Sequence, residues 1–245
     1  MRIATWNVNS LKARLDKVVW WLDRAKPDVL LMQETKLADA DAPVEAFQAA
    51  GYELAHHGEG RWNGVAIASR VGIAEVSSNF GQPLRAPVTP DVPDDEPLAE
   101  ARDPGEPMAL GGDYNIAPAD ADVWDPVACH GGTHVSEPER LAFAKLCSWG
   151  LVDIYRLHRP EPGRYTWWDY RAGNFHKNFG MRIDHLLVTK SVAARTVWVE
   201  IDREARKGKP LPSDHAPLAI DLDQAGHAFD PGWASAESRK AARRL

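Results

Sequence analysis

Short apolar runs of strand length alternate with helical patterns along the first part of the chain. Residues 3–7 and 29–34 form two such strand-like runs. Between them, apolar residues recur at the spacing of one helix face, at Leu11, Leu15, Val18, Val19 and Leu22. The pattern predicts a helix over residues 11–25, which begins after Asn9 or Ser10 and ends before Pro27.

The rest of the chain continues this mixture of strands and helices. Ser136 and Gly150 bound a predicted helix over residues 137–149, and Gly51 closes another over residues 45–50. Further runs predict strands at residues 52–56, 65–69, 108–113, 165–170, 182–189, 196–201 and 216–222. There is no regular βαβ repeat and no GxGxxG motif, so we expect an α/β sandwich rather than a dinucleotide-binding fold.

Length and composition predict one globular domain. The 245 residues are 44% hydrophobic and 26% charged, enough to bury a substantial core. The chain enters a strand pattern directly, without a charged-then-apolar leader and without an apolar run near twenty residues, so we expect a cytoplasmic protein with no membrane partner. Cys129 and Cys147 are isolated and are interpreted as reduced thiols.

The net charge of −6 argues against a protein that coats nucleic acid by bulk attraction, but it leaves room for a nuclease. Two basic stretches remain: residues 203–209, and a tail with Arg239, Lys240, Arg243 and Arg244. The tail is interpreted first as a solvated helix end. We therefore divide the chain into a domain at residues 1–223 and a basic tail at residues 224–245.

Polar side chains end several of the apolar runs. Asn7, Glu34, Asp113, Asp184 and the Ser213-Asp214-His215 turn all occupy such positions. This places five or six oxygen and nitrogen ligands at one end of a sheet, where a hard cation and a phosphate can be held together. The pattern favours an active site.

Six blocks, in order, resemble the signature motifs of the bacterial exonuclease III proteins, which belong to the endonuclease/exonuclease/phosphatase superfamily. The blocks are Thr5-Trp6-Asn7-Val8-Asn9, Leu31-Met32-Gln33-Glu34-Thr35-Lys36, Trp62-Asn63-Gly64-Val65-Ala66, Gly111-Gly112-Asp113-Tyr114-Asn115-Ile116-Ala117-Pro118, Arg182-Ile183-Asp184 and Ser213-Asp214-His215. The resemblance implies a four-layer sandwich, with two packed β-sheets between outer helices. It also implies cleavage of double-stranded DNA 5′ to abasic sites and removal of groups from 3′ ends.

Phosphodiester hydrolysis suggests a role for each residue type. Glu34 is the candidate Mg²⁺ ligand, with Mn²⁺ as a substitute; Asn7 supports the metal or a phosphate oxygen, and Asp214 is a second metal or water ligand. Asp113 is expected to activate the attacking water, with Asn115 facing the same side of an extended segment to orient it or to bind phosphate. His215 is assigned to the phosphate, and Asp184 to orienting His215 and raising its pKa.

A second group of residues predicts contacts with the nucleic acid. By resemblance, Trp167, Met181 and Ile183 line the pocket that accepts a flipped abasic sugar. Arg171, His176 and Lys177 are candidates for DNA phosphate contacts. One of Trp167 and Trp168 is expected in the core, because neighbours on a strand face opposite ways. We expect a monomer that binds duplex DNA with abasic sites or 3′ ends.

The resemblance breaks at residues 82–107, which contain seven prolines and seven acids. Family members place a strand pair, a helix and a phosphate-binding tyrosine here, so the chain resembles an internally truncated member, shortened near residues 100–103. Such a loss is expected to expose apolar faces of neighbouring strands. Two alternatives stay open: a phospholipid or inositol phosphoesterase of the same superfamily, and a catalytically weakened or inactive remnant.

Overall fold

The structure is a computed structural model and describes residues 1–78 and 102–236. Six strands form one sheet in the order β3-β4-β2-β1-β9-β8, and three form a second in the order β5-β7-β6. The strands are β1 Arg2–Asn7, β2 Val29–Gln33, β3 Glu53–His57, β4 Val65–Ser69, β5 Ala109–Asp113, β6 Leu151–Asp153, β7 Asp184–Thr189, β8 Thr196–Ile201 and β9 Leu218–Leu222.

Seven α-helices and four short 3-10 helices connect these strands in the described ranges. The α-helices are α1 Leu11–Ala25, α2 Val44–Ala49, α3 Pro126–Cys129, α4 Glu137–Trp149, α5 Ile154–His158, α6 Asn174–Lys177 and α7 Lys190–Ala193. The 3-10 helices are Asp39–Asp41, Asp120–Asp122, Arg171–Gly173 and Arg203–Arg206. Every helix in these ranges is too short or too polar to span a membrane.

The two long helices begin and end where the sequence predicts. Ser10 caps α1 by accepting a hydrogen bond from the backbone N of Ala13. Ser136 and Glu139 form a reciprocal capping box at the start of α4, and Gly150 ends that helix with φ +134°. Local sequence alone determines both helices, because cap residues and apolar spacing agree.

The sheets pack face to face, with helices on the outside. Trp21 and Leu22 of α1 bury the outer face of the larger sheet, while Phe143 of α4 packs against Leu187 on the outer face of the smaller one. Between the sheets, a Cβ at Gly111 would lie 2.6 Å from the Leu31 Cδ1, so glycine allows this close approach. Two packed sheets flanked by helices confirm the predicted fold class.

The inner face of the larger sheet is only partly covered in the described structure. β5 lies over β2 at Leu31, and Ile67 of β4 pairs with Leu31 in register, so both side chains are on the same face. Yet Ile67 is 38% exposed and Val65 is 51% exposed. Of the described residues, none pairs with the outer edge of β5. These exposed side chains agree with the expectation for an incomplete second sheet.

Most of the proline-rich break at residues 82–107 lies outside the described residues. Its described part, residues 102–107, contains a turn and neither strand nor helix. The basic tail residues Arg239, Lys240, Arg243 and Arg244 also lie outside the described ranges. Before them, Trp233 is 3% exposed in the core, and its Nε1 donates to the carbonyl of Ile201 at 2.8 Å. Trp233, ten residues beyond the predicted domain boundary at 223, therefore packs on the sandwich.

The predicted strand at residues 165–170 is wrong. The backbone N of Thr166 and that of Trp167 both donate to the carbonyl of Met181, at 3.1 and 2.9 Å, and the backbone N of Trp168 donates to Asp214. Trp167 thus makes only isolated bridges, to Met181 and to His215. The segment binds two different neighbours and joins no regular ladder, although its aromatic composition suits a strand.

Smaller differences concern strand limits and short elements. β7 begins at Asp184 and β9 at Leu218, two residues later than predicted in each case. The sequence reasoning missed β6 and α5, which have three and five residues. Elements this short span little more than one hydrophobic period, which is too little for a repeating pattern to be recognised in the sequence.

Candidate active site

The ends of strands from both sheets bring Asn7, Glu34, Asp113, Asp184 and His215 together. Parallel pairing of β1 with β2 brings the ends carrying Asn7 and Glu34 side by side. Antiparallel pairing of β5 with β7 sets Asp113 directly opposite Asp184. The packing of the sheets then joins the two pairs, since Asn7 Nδ2 donates to Glu34 Oε1 and to Asp113 Oδ2, both at 2.9 Å.

His215 and Asp184 form a buried charged pair. His215 Nδ1 lies 2.8 Å from Asp184 Oδ2, and His215 Nε2 lies 3.7 Å from Asp113 Oδ2. Burial alone would lower the pKa of His215, but the charge and hydrogen bond of Asp184 outweigh it and raise that pKa to about 9. The imidazole is therefore protonated at neutral pH, with Nε2 facing Asp113.

Backbone contacts fix this pair in place. The indole Nε1 of Trp6 donates to the carbonyl of His215 at 3.0 Å, and the hydroxyl of Ser213 donates to the carbonyl of Asn7 at 2.8 Å. The backbone N of Asp184 donates to the Thr166 hydroxyl oxygen at 3.1 Å. The turn before β9 is thus tied to β1, and the start of β7 to the neighbouring loop.

Asp113 is the carboxylate whose protonation is most perturbed. Burial and the charge of Asp184 raise its pKa to about 6, against the opposing charge of His215. The backbone N of Asn115 donates to Asp113 Oδ1 at 2.9 Å. Asn115 has φ +55° and an exposed side chain, so the segment is a tight turn and not the extended segment that the sequence predicted. Asn115 thus reaches Asp113 through its backbone N–H.

A chain of polar contacts links Glu34 to Asp214. Lys36 Nζ lies 2.8 Å from Glu34 Oε2 and donates to Asn9 Oδ1 at 2.6 Å, and Asn9 Nδ2 donates to Asp214 Oδ1 at 2.8 Å. Burial would raise the pKa of Glu34, but the hydrogen bonds from Lys36 and Asn7 lower it below its ordinary value. Sequence reasoning assigned no role to Lys36 or Asn9, although both lie within the quoted motif blocks.

Two sets of residues could hold a divalent cation. Asp113, Asp184 and His215 offer ligand atoms within 4.8 Å of one another. A protonated His215 paired with Asp184 is a poor ligand, however, because a metal-binding imidazole must be neutral. Glu34, beside Asn7, fits better, since its carboxylate converges with that of Asp113 on the single amide of Asn7 and hard cations prefer such oxygens.

Asp214 is not among the carboxylates that accept a hydrogen bond from Asn7. Its Oδ1 accepts from Asn9, and its Oδ2 accepts from the indole Nε1 of Trp167 at 3.3 Å. Burial would raise the pKa of Asp214, but the charge of His215 lowers it below its ordinary value. The pKa of Asp214 below its ordinary value keeps this carboxylate ionised, so that it could bind a water or a second cation. Its assigned metal role stays a prediction.

The predicted sugar-pocket residues lie beside the site at different depths. Trp167 is partly exposed next to His215 and Met181, whereas Ile183 is 1% exposed behind them. Trp168 is fully buried, so it is the core member of the tryptophan pair, as the alternation of neighbours predicted. Ile183 shapes the wall of this region from below, and Trp167 and Met181 form its surface.

The predicted phosphate contacts are on an exposed loop at the rim. Arg171 is 88% exposed and pairs with Asp169, while Lys177 and His176 are exposed on α6. Trp62 was missed as a rim residue: it is 70% exposed, and the next residue, Asn63, accepts from the backbone N of Lys36 at 2.9 Å. Its place in a motif block beside Gly64 was the available signal.

Arg182, between Met181 and Ile183, is the centre of a buried ionic network. It is fully buried, with Nε 2.7 Å from Asp122 Oδ1 and Nη2 2.7 Å from Asp153 Oδ2. Arg182 also contacts Nδ1 of the buried His185, whose pKa burial lowers to about 4. This network lies directly behind Asp184. The partners are far apart in sequence, so no local pattern predicts it.

The fold and this constellation define a phosphodiester hydrolase with an acidic, metal-compatible site. A model of the Endonuclease/Exonuclease/phosphatase family matches residues 4–215, and the chain belongs to that family. Among curated relatives, Exodeoxyribonuclease III of Haemophilus influenzae is 28% identical over 268 aligned positions, which cover 89% of this chain and 98% of the relative. That alignment is longer than this chain, so the relative has residues without a counterpart here.

Solved structures show the same likeness. The 3′-5′ exonuclease NExo from Neisseria meningitidis is 35% identical, with a TM-score of 0.76. An AP endonuclease from Archaeoglobus fulgidus is 32% identical, with a TM-score of 0.78. In both comparisons the match covers 91% of this chain and 100% of the other. The family, the exonuclease III resemblance and the two-sheet fold are therefore confirmed.

Proposed function

We propose that this chain is a Mg²⁺-dependent DNA repair nuclease that cleaves duplex DNA at abasic sites and removes residues from 3′ ends. The observation that carries the proposal is the charged His215–Asp184 pair held 3.7 Å from Asp113, beside the carboxylate of Glu34. His215 supplies a hydrogen-bond donor, Asp113 a proton acceptor and Glu34 a cation ligand, and the three side chains lie in one site. Those are the groups that hydrolysis of a phosphate diester needs.

Asp113 is the group that we assign to the attacking water. Its raised pKa makes it a better proton acceptor than an ordinary aspartate, and the backbone N–H of Asn115 holds one of its oxygens. The other oxygen faces Nε2 of His215. A water between Asp113 and the phosphorus would lose its proton to the carboxylate as the new P–O bond forms.

His215 is assigned to a non-bridging phosphate oxygen. Its Nε2 carries a proton because Asp184 keeps the imidazole charged, and a charged donor gains strength as negative charge develops on the phosphoryl group. Glu34 and Asn7 would hold Mg²⁺, which when bound supplies charge stabilisation to the phosphate and the leaving 3′ oxygen. Asp214, held by Asn9 and Trp167, is available to a second water or metal.

The relatives support DNA as the substrate. Their names describe an exodeoxyribonuclease, a 3′-5′ exonuclease and an AP endonuclease, and one related 3′ phosphatase from Neisseria was solved with a product DNA hairpin. We propose that Trp167 and Met181 contact the sugar at the cleavage point, over the buried Ile183, while Arg171 and Lys177 contact phosphates along the strand. The protein would act as a cytoplasmic monomer.

A weakened enzyme is the second candidate, and a specific observation favours it. Val65 and Ile67 are exposed on the inner face of the larger sheet, and the relative's alignment contains positions that this chain lacks. If the expected phosphate-binding tyrosine is among the lost residues, cleavage would be on the order of a hundred to a thousand times slower than in an intact relative.

An incision assay on a duplex with one abasic site tests the proposal. We expect cleavage 5′ to the site with Mg²⁺ and none with chelator, and shortening of a 3′ end on an undamaged duplex. Purified His215→Asn protein, prepared in parallel, controls for contaminating nucleases. Failure to cleave either DNA, together with hydrolysis of a phospholipid or inositol phosphate, would contradict a DNA repair role.

A further inference from the structure

Three side chains form a hydrogen-bonded chain that ends beside Glu34. Thr35 Oγ1 lies 2.8 Å from His56 Nε2, and His56 Nδ1 lies 2.7 Å from Asp39 Oδ1. The same Asp39 oxygen accepts from the backbone N of Gly58 at 2.8 Å. Asp39 lies in the 3-10 helix after β2, and His56 belongs to β3. The hydrogen bonds therefore connect the end of β2 to the edge strand of its sheet.

This hydroxyl–imidazole–carboxylate order is that of a nucleophilic triad, but the surroundings exclude that role. A nucleophile must reach the substrate. Thr35 is fully buried, and a Cβ at Gly64 would lie 2.2 Å from Thr35 Oγ1, so the backbone of Gly64 closes over the hydroxyl. These three hydrogen-bonded side chains therefore have a structural role and not a catalytic one.

The hydrogen-bonded side chains of Thr35, His56 and Asp39 hold a turn whose backbone is strained. Glu34 and Lys36 both have left-handed backbone angles, with φ of +52° and +55°. Such angles are sterically unfavourable for L-residues and persist only where surrounding contacts hold them. Four backbone bonds do so. The N of Thr35 donates to Gly64 O at 3.1 Å and the N of Lys36 to Asn63 O at 2.9 Å, while the carbonyls of Glu34 and Thr35 accept from the N of Ser10 at 2.7 Å and of Leu11 at 2.9 Å. The Thr35 hydroxyl adds a side-chain contact to these four.

The strained geometry determines where the Glu34 carboxylate lies. With this turn, Glu34 Oε1 reaches the amide of Asn7 and Oε2 reaches Lys36 Nζ. A relaxed φ at Glu34 would swing the carboxylate away from Asn7, and Asp113 would lose its neighbour in the cation position. The anchor at Thr35 is thus one residue from the ligand, while Asp39 and His56 lie further out.

We propose that Asp39, His56 and Thr35 are positioning residues that hold the Glu34–Thr35–Lys36 turn and thereby fix the Glu34 carboxylate for metal binding. None of the three touches the metal position or substrate. The inference rests on the proposed function, because Glu34 is a metal ligand only under that proposal. Contacts behind a metal ligand commonly contribute 10- to 100-fold to affinity.

The test measures Mn²⁺ binding to the full-length protein by electron paramagnetic resonance, without DNA, together with the Mg²⁺ dependence of incision. Thr35→Val removes the hydroxyl at nearly constant volume, and His56→Phe removes the imidazole. We expect each to weaken Mn²⁺ binding on the order of 10-fold or more and to raise the Mg²⁺ concentration for half-maximal incision, with little change in kcat at saturating Mg²⁺.

Two further variants separate positioning from general damage. Thr35→Ser keeps the hydroxyl and should bind Mn²⁺ as the wild type does, while Glu53→Gln changes an exposed residue of the same strand as His56 and should have no effect. Wild-type Mn²⁺ affinity in both Thr35→Val and His56→Phe would overturn the inference. Thr35→Val loses the hydroxyl and Thr35→Ser loses only the methyl, so equal losses in both would overturn the inference as well.

Glu34→Ala distinguishes this inference from the proposed function. If Glu34→Ala weakens Mn²⁺ binding and Thr35→Val does not, the ligand assignment stands and the positioning role is wrong. If Glu34→Ala leaves Mn²⁺ binding unchanged, Glu34 is not a ligand, and the positioning role fails together with that part of the proposed function.

Discussion

Asp184 accepts a hydrogen bond from Nδ1 of His215 at 2.8 Å, although 31 residues separate them and both are buried. The positive charge of this pair acts on the carboxylates of both Asp113 and Asp214 and lowers the pKa of each. Because Asp184 neutralises the imidazolium, the remaining carboxylates leave the site with net negative charge. A site of that kind attracts a divalent cation before it can accept a phosphate.

The first prediction concerns pH. Asp184 raises the pKa of His215 to about 9, so Asp184→Asn should lower that pKa and move the alkaline fall in kcat/KM to lower pH. Because the folded pKa lies above the unfolded value, the pair stabilises the protein fully below about pH 6.5 and loses this contribution as pH rises through about 9. A pH–rate profile of both proteins checks this. An unshifted alkaline limb would mean that His215 does not govern it.

The second prediction concerns His215 itself. His215→Asn should lower the rate of bond cleavage in single-turnover experiments by on the order of 10² to 10⁴, the usual contribution of a positioned acid–base group. Affinity for an abasic duplex, measured in chelator, should change little. A collapse of DNA binding with intact chemistry would instead make His215 a substrate anchor.

The third prediction concerns Glu34. Glu34→Ala should cut incision strongly and shift the Mg²⁺ requirement upward, because it removes one of the two carboxylates that converge on Asn7. The fold should stay intact, since the Glu34 side chain is 40% exposed. Circular dichroism checks that the fold is intact, and incision at several Mg²⁺ concentrations measures the change in the Mg²⁺ requirement. Unchanged incision at limiting Mg²⁺ would remove Glu34 from the ligand set.

The fourth prediction concerns the network behind Asp184. Arg182→Met should lower the free energy of unfolding by about 3–5 kcal/mol, because it leaves the buried carboxylates of Asp122 and Asp153 short of their central partner. Arg140→Met is the matched control: its partner Asp120 is 69% exposed, and such a pair contributes about 0–1 kcal/mol. Urea unfolding of both variants measures the difference. Equal decreases in the free energy of unfolding for both variants would show that the buried network contributes no more to stability than an exposed ion pair.

The fifth prediction tests whether the inner face of β4 is bare. Ile67→Thr should change the free energy of unfolding by no more than about 0.5 kcal/mol, as expected for an exposed position, whereas Leu30→Ala in the core should cost about 2–5 kcal/mol. Denaturant unfolding checks both. A loss above about 2 kcal/mol for Ile67→Thr would show that another part of the protein covers this face.

Local sequence determined the elements whose signals lie within a few residues. Apolar spacing and cap residues placed α1 and α4, and the polar residues that end apolar runs identified Asn7, Glu34 and Asp113 as candidates for one site. These inferences succeed because a strand end is a local feature. The meeting of Asp113 with Asn7 and Glu34 depends in addition on the packing of the two sheets, since β5 belongs to the second sheet.

Tertiary structure decided what depends on partners distant in sequence. Nothing in the motif around Arg182 indicates that it is fully buried and paired with two aspartates 60 and 29 residues away. The segment 165–170 has the composition of a strand, but its backbone N–H groups donate partly to Met181 and partly to Asp214. It therefore forms no regular strand ladder. The charge on His215 likewise follows from Asp184, whose charge and hydrogen bond outweigh the opposing effect of burial. Composition and spacing carry no information on such contacts, because burial and electrostatic fields exist only once the sheets have packed.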